Sequence, residues 1–312
     1  MRKTSLDMVH ALARADERVI FVGSDLGPDT LAGMRAEMPS RFFMEGVSEA
    51  HVIGMAAGLA MEGYVPYVNT IATFITRRCF EQVALDLCLQ NLPVRLIGNG
   101  GGLVYAPLGP THLAIEDIAI MRALPNMAVT AVADADEMRR MMQASLNWPG
   151  PLYIRLAKGG DPVVTAGIEG FVIGKGYEMR KPGRIGLVAT GVMTGRALKT
   201  ADILAEAGIA AGVLHMPTVK PLDLEALHRF ARNVEAVVTL EEHVRAGGLG
   251  TAVLEALSDS GALKGLDLLR LGIPDSFATQ YGSQDSLLEL YELQPPQIAA
   301  RLARDYGKTA TH

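Results

Sequence analysis

The sequence predicts an α/β fold in two units, a parallel sheet with helices on both faces followed by a smaller α/β unit. Short apolar runs rich in Val and Ile alternate with segments of helical periodicity, a pattern typical of parallel strands joined by crossover helices. The alternation stops near residues 159–183, where Gly, Pro and polar residues accumulate, and it then resumes. A chain of 312 residues that is 49% hydrophobic is long enough to bury two cores of this kind.

The first unit is assigned to residues 1–165 and begins with an amphipathic helix. Apolar runs predict strands at residues 18–23, 64–68, 94–98 and 127–132, and a further strand within residues 152–159 ends on basic side chains. Helical periodicity predicts helices at residues 48–61, 77–90 and 134–146. The last of these begins with the pattern of a capping box, in which Asp134 and Glu137 can each bind the other's free backbone N–H group.

A linker at residues 166–184 is expected to separate this unit from a second one at residues 185–312. In the second unit, strands are predicted at residues 186–189, 211–215 and 236–240. Helices are predicted up to residue 207 and at about residues 223–232 and 248–258.

Charge and composition exclude several classes of protein. The net charge is −5 and no cluster of Lys and Arg exceeds two or three residues, so nucleic acid, which needs a basic face, is not an expected partner. The longest near-apolar run, residues 52–61, is far too short to span a membrane. Cys79 and Cys88 lie nine residues apart in one predicted helix, roughly 13 Å along its axis, which is too far for a disulfide. We therefore expect a cytoplasmic chain with free structural thiols.

Candidate functional residues follow the predicted strands, because ligands of open α/β sheets bind beyond the carboxyl ends of the strands. These segments are rich in Gly and polar residues and comprise residues 23–26, 45–49, 69–74 and 99–112, together with Arg155. The sequence therefore predicts a binding site at this edge of the first sheet.

Five ordered blocks resemble those of the transketolase family. They are Glu45-Gly-Val-Ser-Glu49, Thr73-Phe74, Gly109-Pro-Thr-His112, Met216-Pro-Thr-Val-Lys-Pro-Leu-Asp223 and Glu241-Glu-His-Val-Arg-Ala-Gly-Gly-Leu-Gly250. The resemblance implies a thiamine diphosphate-binding (pyrimidine) domain with a parallel sheet, followed by a smaller transketolase C-terminal-like α/β domain. It also implies an enzyme that transfers a two-carbon ketol unit between phosphorylated or modified sugars.

The resemblance implies roles at the cofactor for four residues. Glu49 matches the carboxyl group that binds the pyrimidine ring and stabilises the imino tautomer through which thiamine diphosphate activates itself. Phe74 matches the aromatic residue that stacks on that ring, where it supplies apolar area. Asp25 and Leu26 resemble residues that lie near the cofactor, although a turn is the simpler interpretation of Asp25.

Further residues match positions that face the substrate. His112 matches a histidine that can stabilise the oxygen of the carbonyl under attack, and Arg155 a basic residue that binds the phosphate of the acceptor. Arg77 and His51 resemble positions of deoxyxylulose phosphate synthase rather than of transketolases proper. A solvated surface arginine remains an open alternative for Arg77.

Two positions depart from the family pattern and concern the substrate. Leu108 stands where family enzymes carry an Asp that contacts a sugar hydroxyl, and an apolar side chain there would leave such a hydroxyl unpaired. Asn99-Gly-Gly-Gly102 stands where transketolases keep a His. A modified or less hydroxylated sugar, or a 2-oxo acid, is therefore an alternative to the ordinary pentose phosphates.

The chain lacks the Gly-Asp-Gly element with a following Asn that holds Mg and the diphosphate in this family. We therefore expect no metal site in this chain, and a separate diphosphate-binding transketolase N-terminal subunit that completes the cofactor site in an α2β2 assembly. Three alternatives stay open: the beta subunit of a 2-oxoacid dehydrogenase, a deoxyxylulose phosphate synthase-like enzyme, and a non-catalytic nucleotide-binding module. The last would use residues 99–102 as a phosphate loop.

Overall fold

The computed structural model of the chain describes residues 1–24 and 31–307. Its strands are β1 (Val19–Gly23), β2 (Phe42–Met44), β3 (Val65–Ile71), β4 (Arg95–Asn99), β5 (Ala128–Ala131), β6 (Leu152–Leu156), β7 (Tyr177–Arg180), β8 (Ile185–Ala189), β9 (Ala211–His215), β10 (Thr218–Lys220), β11 (Ala236–Val244) and β12 (Asp267–Ile273). Its α-helices are α1 (Arg2–Ala15), α2 (Ala32–Glu37), α3 (Glu49–Met61), α4 (Phe80–Gln82), α5 (Asp117–Ala123), α6 (Ala135–Ser145), α7 (Met193–Glu206), α8 (Leu224–Ala231), α9 (Leu249–Asp259), α10 (Gln284–Leu290) and α11 (Pro295–Tyr306).

The strands form two mostly parallel sheets, and the predicted fold class is confirmed. Within the described residues the first sheet has the order β10-β5-β6-β4-β3-β1-β2, and only β10 runs antiparallel to its neighbour. The second has the order β12-β11-β8-β9-β7, with β7 antiparallel to β9. Parallel neighbours require crossover connections, which is why helices cover both faces.

Each sheet lies between two layers of helices. Apolar faces of α1 and α6 pack on one side of the first sheet, and α3 and α5 pack on the other. In the second unit, α7 and α11 cover one face and α8 and α9 the other. The central strands β1, β4, β5 and β6 are buried along their whole length. This double burial explains their continuous apolar sequences and leaves the strand ends as the places for polar groups.

The second unit contributes one strand to the first sheet. Thr218 and Lys220 of β10 pair with β5, beyond the predicted boundary between the units. The predicted linker at residues 166–184 contains β7, which joins the second sheet. The two units therefore share hydrogen-bonded structure, and the division at residues 165 and 184 stays a prediction.

The helix predicted at residues 77–90 begins earlier and is less regular than expected. Helical structure starts at Ala72 and continues through π-type turns over Phe74–Arg78, a single α-helical turn in α4, and further π-type turns over Val83–Leu89. Such turns widen the helix locally and recur at functional sites. Phe74 consequently lies in a helical turn rather than directly at the end of a strand.

The predicted capping box of α6 is half right. The Asp134 side chain accepts from the N–H groups of Asp136 and Glu137, as a capping residue should. The Glu137 carboxylate, however, accepts from the N–H group of Ala133 rather than from that of Asp134. It also binds His215 of β9, at 2.9 Å from the ring Nε2, and so helps to join the two units.

Candidate active site

Glu49 lies at the carboxyl edge of the first sheet, as the first residue of α3. Its side chain is only 3% exposed, and the Arg78 guanidinium donates from Nη1 to Glu49 Oε2 at 2.8 Å. Free N–H groups at a helix start favour a negative charge there. The Glu49 carboxylate is thus a buried acceptor, and in the described part of the chain Arg78 is its hydrogen-bond donor.

Phe74 lies beside this ion pair. The Arg78 guanidinium carbon is 4.1 Å from the centroid of the Phe74 ring, which is close enough for a cation–π contact. The His112 ring meets the same ring edge-on, with centroids 5.3 Å apart and an interplanar angle of 64°. Glu49, Phe74 and His112, which resemble residues of the transketolase family, therefore lie together: Arg78 contacts Glu49 and Phe74, and Phe74 contacts His112.

His112 is held at the end of the loop that follows β4. A 3₁₀ turn over Ala106–Leu108 leads into Gly109, whose φ of +77° favours glycine. The ring of Tyr281 lies where a side chain at Gly109 would go, at 2.7 Å from the ideal Cβ position. His112 Nδ1 is 2.9 Å from the Thr111 hydroxyl, which restrains the ring. Gly109 therefore lets a residue of the second unit pack against the loop that carries His112.

Arg77 points away from Glu49 and joins a second carboxylate. Its Nε is 2.9 Å from Glu116 Oε1, and its guanidinium also bonds to the Thr73 hydroxyl and to the Thr111 carbonyl. Burial raises the pKa of Glu116, while the charge of Arg77 opposes that shift. Arg77 is thus a partnered side chain and not simply a solvated one.

A cavity of about 340 Å³ opens next to Arg77, between the two units. It is lined by Arg77, Ile115, Glu116, Val244, Asp275, Ser276 and Phe277. Leu108 is half exposed in the loop before His112 and is not part of this lining. The cavity places one cation and two carboxyl groups close to the loop that carries His112.

Arg155 is buried and hydrogen-bonded to groups of both units. Its side chain is 6% exposed, and its Nε donates to Asp117 Oδ2 at 2.8 Å. Nη2 donates to the carbonyl groups of Ala114 and Glu242 at 3.2 and 2.8 Å. These bonds hold the guanidinium between the two units and give Arg155 a structural role, while the phosphate contact expected from the sequence stays a prediction. The sequence signal, a strand ending in Arg, does not distinguish an exposed strand end from a buried one.

The Gly-rich segment after β4 is not available as a phosphate loop. The N–H groups of Gly100 and Gly101 donate to the Leu156 carbonyl at 2.9 and 3.0 Å, and that of Gly102 donates to Ala114 at 2.8 Å. The N–H of Leu103 donates to Glu242 Oε1 at 2.7 Å. A phosphate loop needs free backbone donors. The internal use of these four argues against a nucleotide-binding module.

The remaining predicted residues lie outside the cluster or outside the described structure. His51 is exposed on α3, two positions after Glu49, so the two side chains point to different sides of the helix. The structure does not bring His51 to Phe74 or His112. Asp25 and Leu26 lie outside the described residues.

Cys79 lies under the cluster, with its thiol 3.0 Å from the Phe74 carbonyl. Burial, reinforced by the charge of Glu49, raises the pKa of Cys79 to about 12. Burial likewise raises the pKa of Cys88 to about 11. Both cysteines are free and buried. A thiolate nucleophile is therefore not part of the chemistry that this site can perform.

Among residues 1–24 and 31–307, the His, Cys, Asp and Glu side chains form no group of three that could hold a metal ion. Over the same residues, no helix combines the length and the apolar character that a membrane span requires.

Sequence reasoning missed Arg78 and Glu116 as members of the cluster. Arg78 was visible as the second of two adjacent arginines after Phe74, but the local pattern does not show which of the two faces Glu49. Glu116 follows the Gly-Pro-Thr-His block by four residues, without a motif of its own. Its pairing with Arg77 depends on the tertiary structure.

The two mostly parallel sheets, each between two layers of helices, and the carboxylate–aromatic–histidine cluster at the edge of the first define the class of protein, a two-unit α/β protein with a candidate ligand site. A family profile for the transketolase pyrimidine-binding domain matches residues 1–160, and one for the transketolase C-terminal domain matches residues 174–298. The chain belongs to the transketolase family. Membership implies the use of thiamine diphosphate.

Similar proteins include whole enzymes and subunits. A 1-deoxy-D-xylulose-5-phosphate synthase of Microcystis aeruginosa is 38% identical over 296 residues, covering 93% of this chain and 46% of that enzyme. A 6-deoxy-6-sulfo-D-fructose transketolase subunit of Clostridium sp., SqwH, is 35% identical over 299 residues, covering 96% of this chain and 92% of that subunit. The chain thus spans about half the length of most of the curated relatives that it matches.

A solved structure described as a split gene transketolase, in an inactive beta4 tetramer, superposes with a TM-score of 0.87. It is 34% identical in sequence, and the match covers 97% of this chain and 96% of that one. The two chains therefore share the same pair of domains over nearly their whole length.

Proposed function

We propose that the chain is a transketolase-type subunit that binds the pyrimidine half of thiamine diphosphate, with Glu49 as the activating carboxyl group. The observation that carries the proposal is the convergence of Glu49, Phe74 and His112 at the carboxyl edge of the first sheet. The Arg78 guanidinium, a planar nitrogen-bearing group, lies over the Phe74 ring and donates an N–H to Glu49. The imino tautomer of the aminopyrimidine ring is likewise planar and carries an N–H at a ring nitrogen, so the residues fit that group.

Each residue would have a distinct task in this site. When bound, thiamine diphosphate supplies a thiazolium carbanion that carries the transferred unit. Glu49 would hold a proton at the pyrimidine nitrogen that faces its buried Oε2. Phe74 would fix the plane of the ring through apolar contact, and His112 would orient and stabilise the oxygen of the substrate carbonyl.

The diphosphate and Mg are proposed to be held by a separate subunit, in an α2β2 assembly. Among the described residues no cluster could hold the metal, and the first Gly-rich loop uses its own backbone donors internally. The likeness to a split gene transketolase and to a transketolase subunit supports this division. The proposed substrates are sugar phosphates or related ketoses and aldoses.

A synthase-like activity with a 2-oxo acid as donor is the second candidate. Leu108 offers no carboxylate to a donor hydroxyl, and Arg77 lies beside the cavity between the units. The identity to 1-deoxy-D-xylulose-5-phosphate synthases is of the same order as that to the transketolase subunit. Release of CO₂ from a 2-oxo acid would support this candidate, and transfer from a ketose phosphate without CO₂ release would exclude it as the main activity.

The test compares Glu49→Gln with the control variant Glu62→Gln. Glu62 is an exposed residue at the other end of the same helix. The tagged chain is isolated from its native cells with its associated proteins, and thiamine diphosphate-dependent transfer is measured with a panel of ketose phosphates and 2-oxo acids. Glu49→Gln is expected to lower turnover by about 10²–10⁴-fold, as for loss of a positioned proton-transfer group, while Glu62→Gln keeps it. Full turnover by Glu49→Gln, or by the purified chain alone, would contradict the proposal.

A further inference from the structure

Arg78 occupies the place that the proposed pyrimidine ring would need. Its guanidinium carbon is 4.1 Å from the Phe74 centroid, and its Nη1 is 2.8 Å from Glu49 Oε2. A ligand that stacks on Phe74 and donates a hydrogen bond to Glu49 must contact the same two groups. Because two planar groups cannot fill the same place, Arg78 and such a ligand exclude each other.

The contact of Arg78 with Glu49 has a clear energetic reason. The Glu49 side chain is 3% exposed, and a buried carboxylate without a partner is strongly destabilising. Arg78 supplies the opposite charge and covers the ring face, although its own side chain remains 45% exposed. A long and half-solvated side chain can leave at small cost, because its charged end returns to water.

Local backbone geometry places the guanidinium there. Phe74 and Arg78 lie four residues apart in the same run of π-type turns, a spacing that brings side chains onto one face of a helical segment. Arg77, one position earlier, diverges to Glu116 instead. Arg78 is therefore directed to the Phe74 face by its position in the turn.

We propose that Arg78 is a displaceable plug, which holds the pyrimidine site of this chain closed until the cofactor ring replaces its guanidinium. The inference rests on the proposed function, because it takes the ligand to be the aminopyrimidine of thiamine diphosphate. Arg78 stabilises the ligand-free chain and competes with the ring, so it lowers the affinity for the cofactor. Its removal opens the site without removing a group that binds the ring.

The test uses the full chain and 4-amino-5-hydroxymethyl-2-methylpyrimidine, the pyrimidine half of the cofactor, with binding followed by calorimetry. Arg78→Gln is expected to bind this probe about tenfold more tightly than the unaltered chain, the size expected from the loss of one ion pair and one cation–π contact. Arg78→Lys keeps the charge but not the planar group and should bind with intermediate affinity. It also keeps the test usable if Arg78→Gln folds poorly.

The control variant is Arg139→Gln, which removes an exposed arginine paired with Asp136 and should bind the probe like the unaltered chain. Equal affinity in Arg78→Gln and the unaltered chain would overturn the plug, and so would weaker binding in Arg78→Gln. In either case, loss of binding in Glu49→Gln would leave the proposed function standing. Absence of binding in every variant at millimolar probe would overturn the proposed function together with the plug.

Discussion

Replacing Arg155 by Met should destabilise the folded chain by about 3–5 kcal/mol, the usual cost of breaking a buried ion pair from one side. The guanidinium is 6% exposed, binds Asp117 at 2.8 Å and donates to the carbonyl groups of Ala114 and Glu242. Burial works against its charge, but Asp117 and Glu242 raise the pKa of Arg155 above its ordinary value. After the change, Asp117 would keep the 2.7 Å bond from Tyr153 but would have lost its cation.

The assay is urea unfolding, with the free energy taken from the midpoint and the slope. Arg139→Met is the matched control, because it removes an arginine that is 54% exposed and pairs with Asp136 on the surface of α6. Its expected effect is within about 1 kcal/mol. A loss below about 1 kcal/mol for Arg155→Met would refute the structural role. Unchanged stability with a raised KM for a phosphorylated acceptor would restore the phosphate contact expected from the sequence.

Two further outcomes concern buried titratable groups. Cys79 and Cys88 should resist thiol reagents in the native chain and react fully in urea, because burial keeps both thiols protonated; rapid native labelling would contradict this. Burial lowers the pKa of His243 to about 4, and its Nε2 accepts a hydrogen bond from the N–H of Ala119. In the unfolded chain the same histidine has a pKa near 6.5. Between these two pH values the unfolded chain therefore binds a proton at His243 that the native chain does not bind. The stability advantage over His243→Asn, measured by urea unfolding, should therefore be full above pH 6.5 and shrink as the pH falls towards 4, by on the order of 1 kcal/mol per pH unit; a constant difference would refute this.

The strands were predictable because burial on both faces leaves a local signature. Ala211–His215 was predicted with its observed bounds, since a short apolar run between helical segments indicates a central parallel strand. Thr218–Lys220 was not predicted, although it lies only three residues further on. It pairs with β5, about ninety residues away in sequence, and no local pattern encodes such a partner.

The site was predictable in outline because the carboxyl ends of parallel strands share one edge. That rule and the family resemblance brought Glu49, Phe74 and His112 together. In the structure Arg78 contacts both Glu49 and Phe74, and the Phe74 ring contacts His112. The rule and the resemblance could not show that Arg155 is buried between the units, because a strand end has the same sequence whether a second unit or solvent covers it. The covering carbonyl of Glu242 comes from β11, far along the chain.

The two adjacent arginines show why the finer assignment needs the structure. Neighbouring residues of a helical segment point in different directions, and Arg77 and Arg78 accordingly bind different carboxylates. Arg77 reaches Glu116 beside the cavity between the units, and Arg78 reaches Glu49 beside Phe74. In the proposed site, Arg77 would therefore act on the substrate and Arg78 on the cofactor ring. Changes at Arg77 should then affect the KM for substrate, while changes at Arg78 should affect the affinity for the pyrimidine ring.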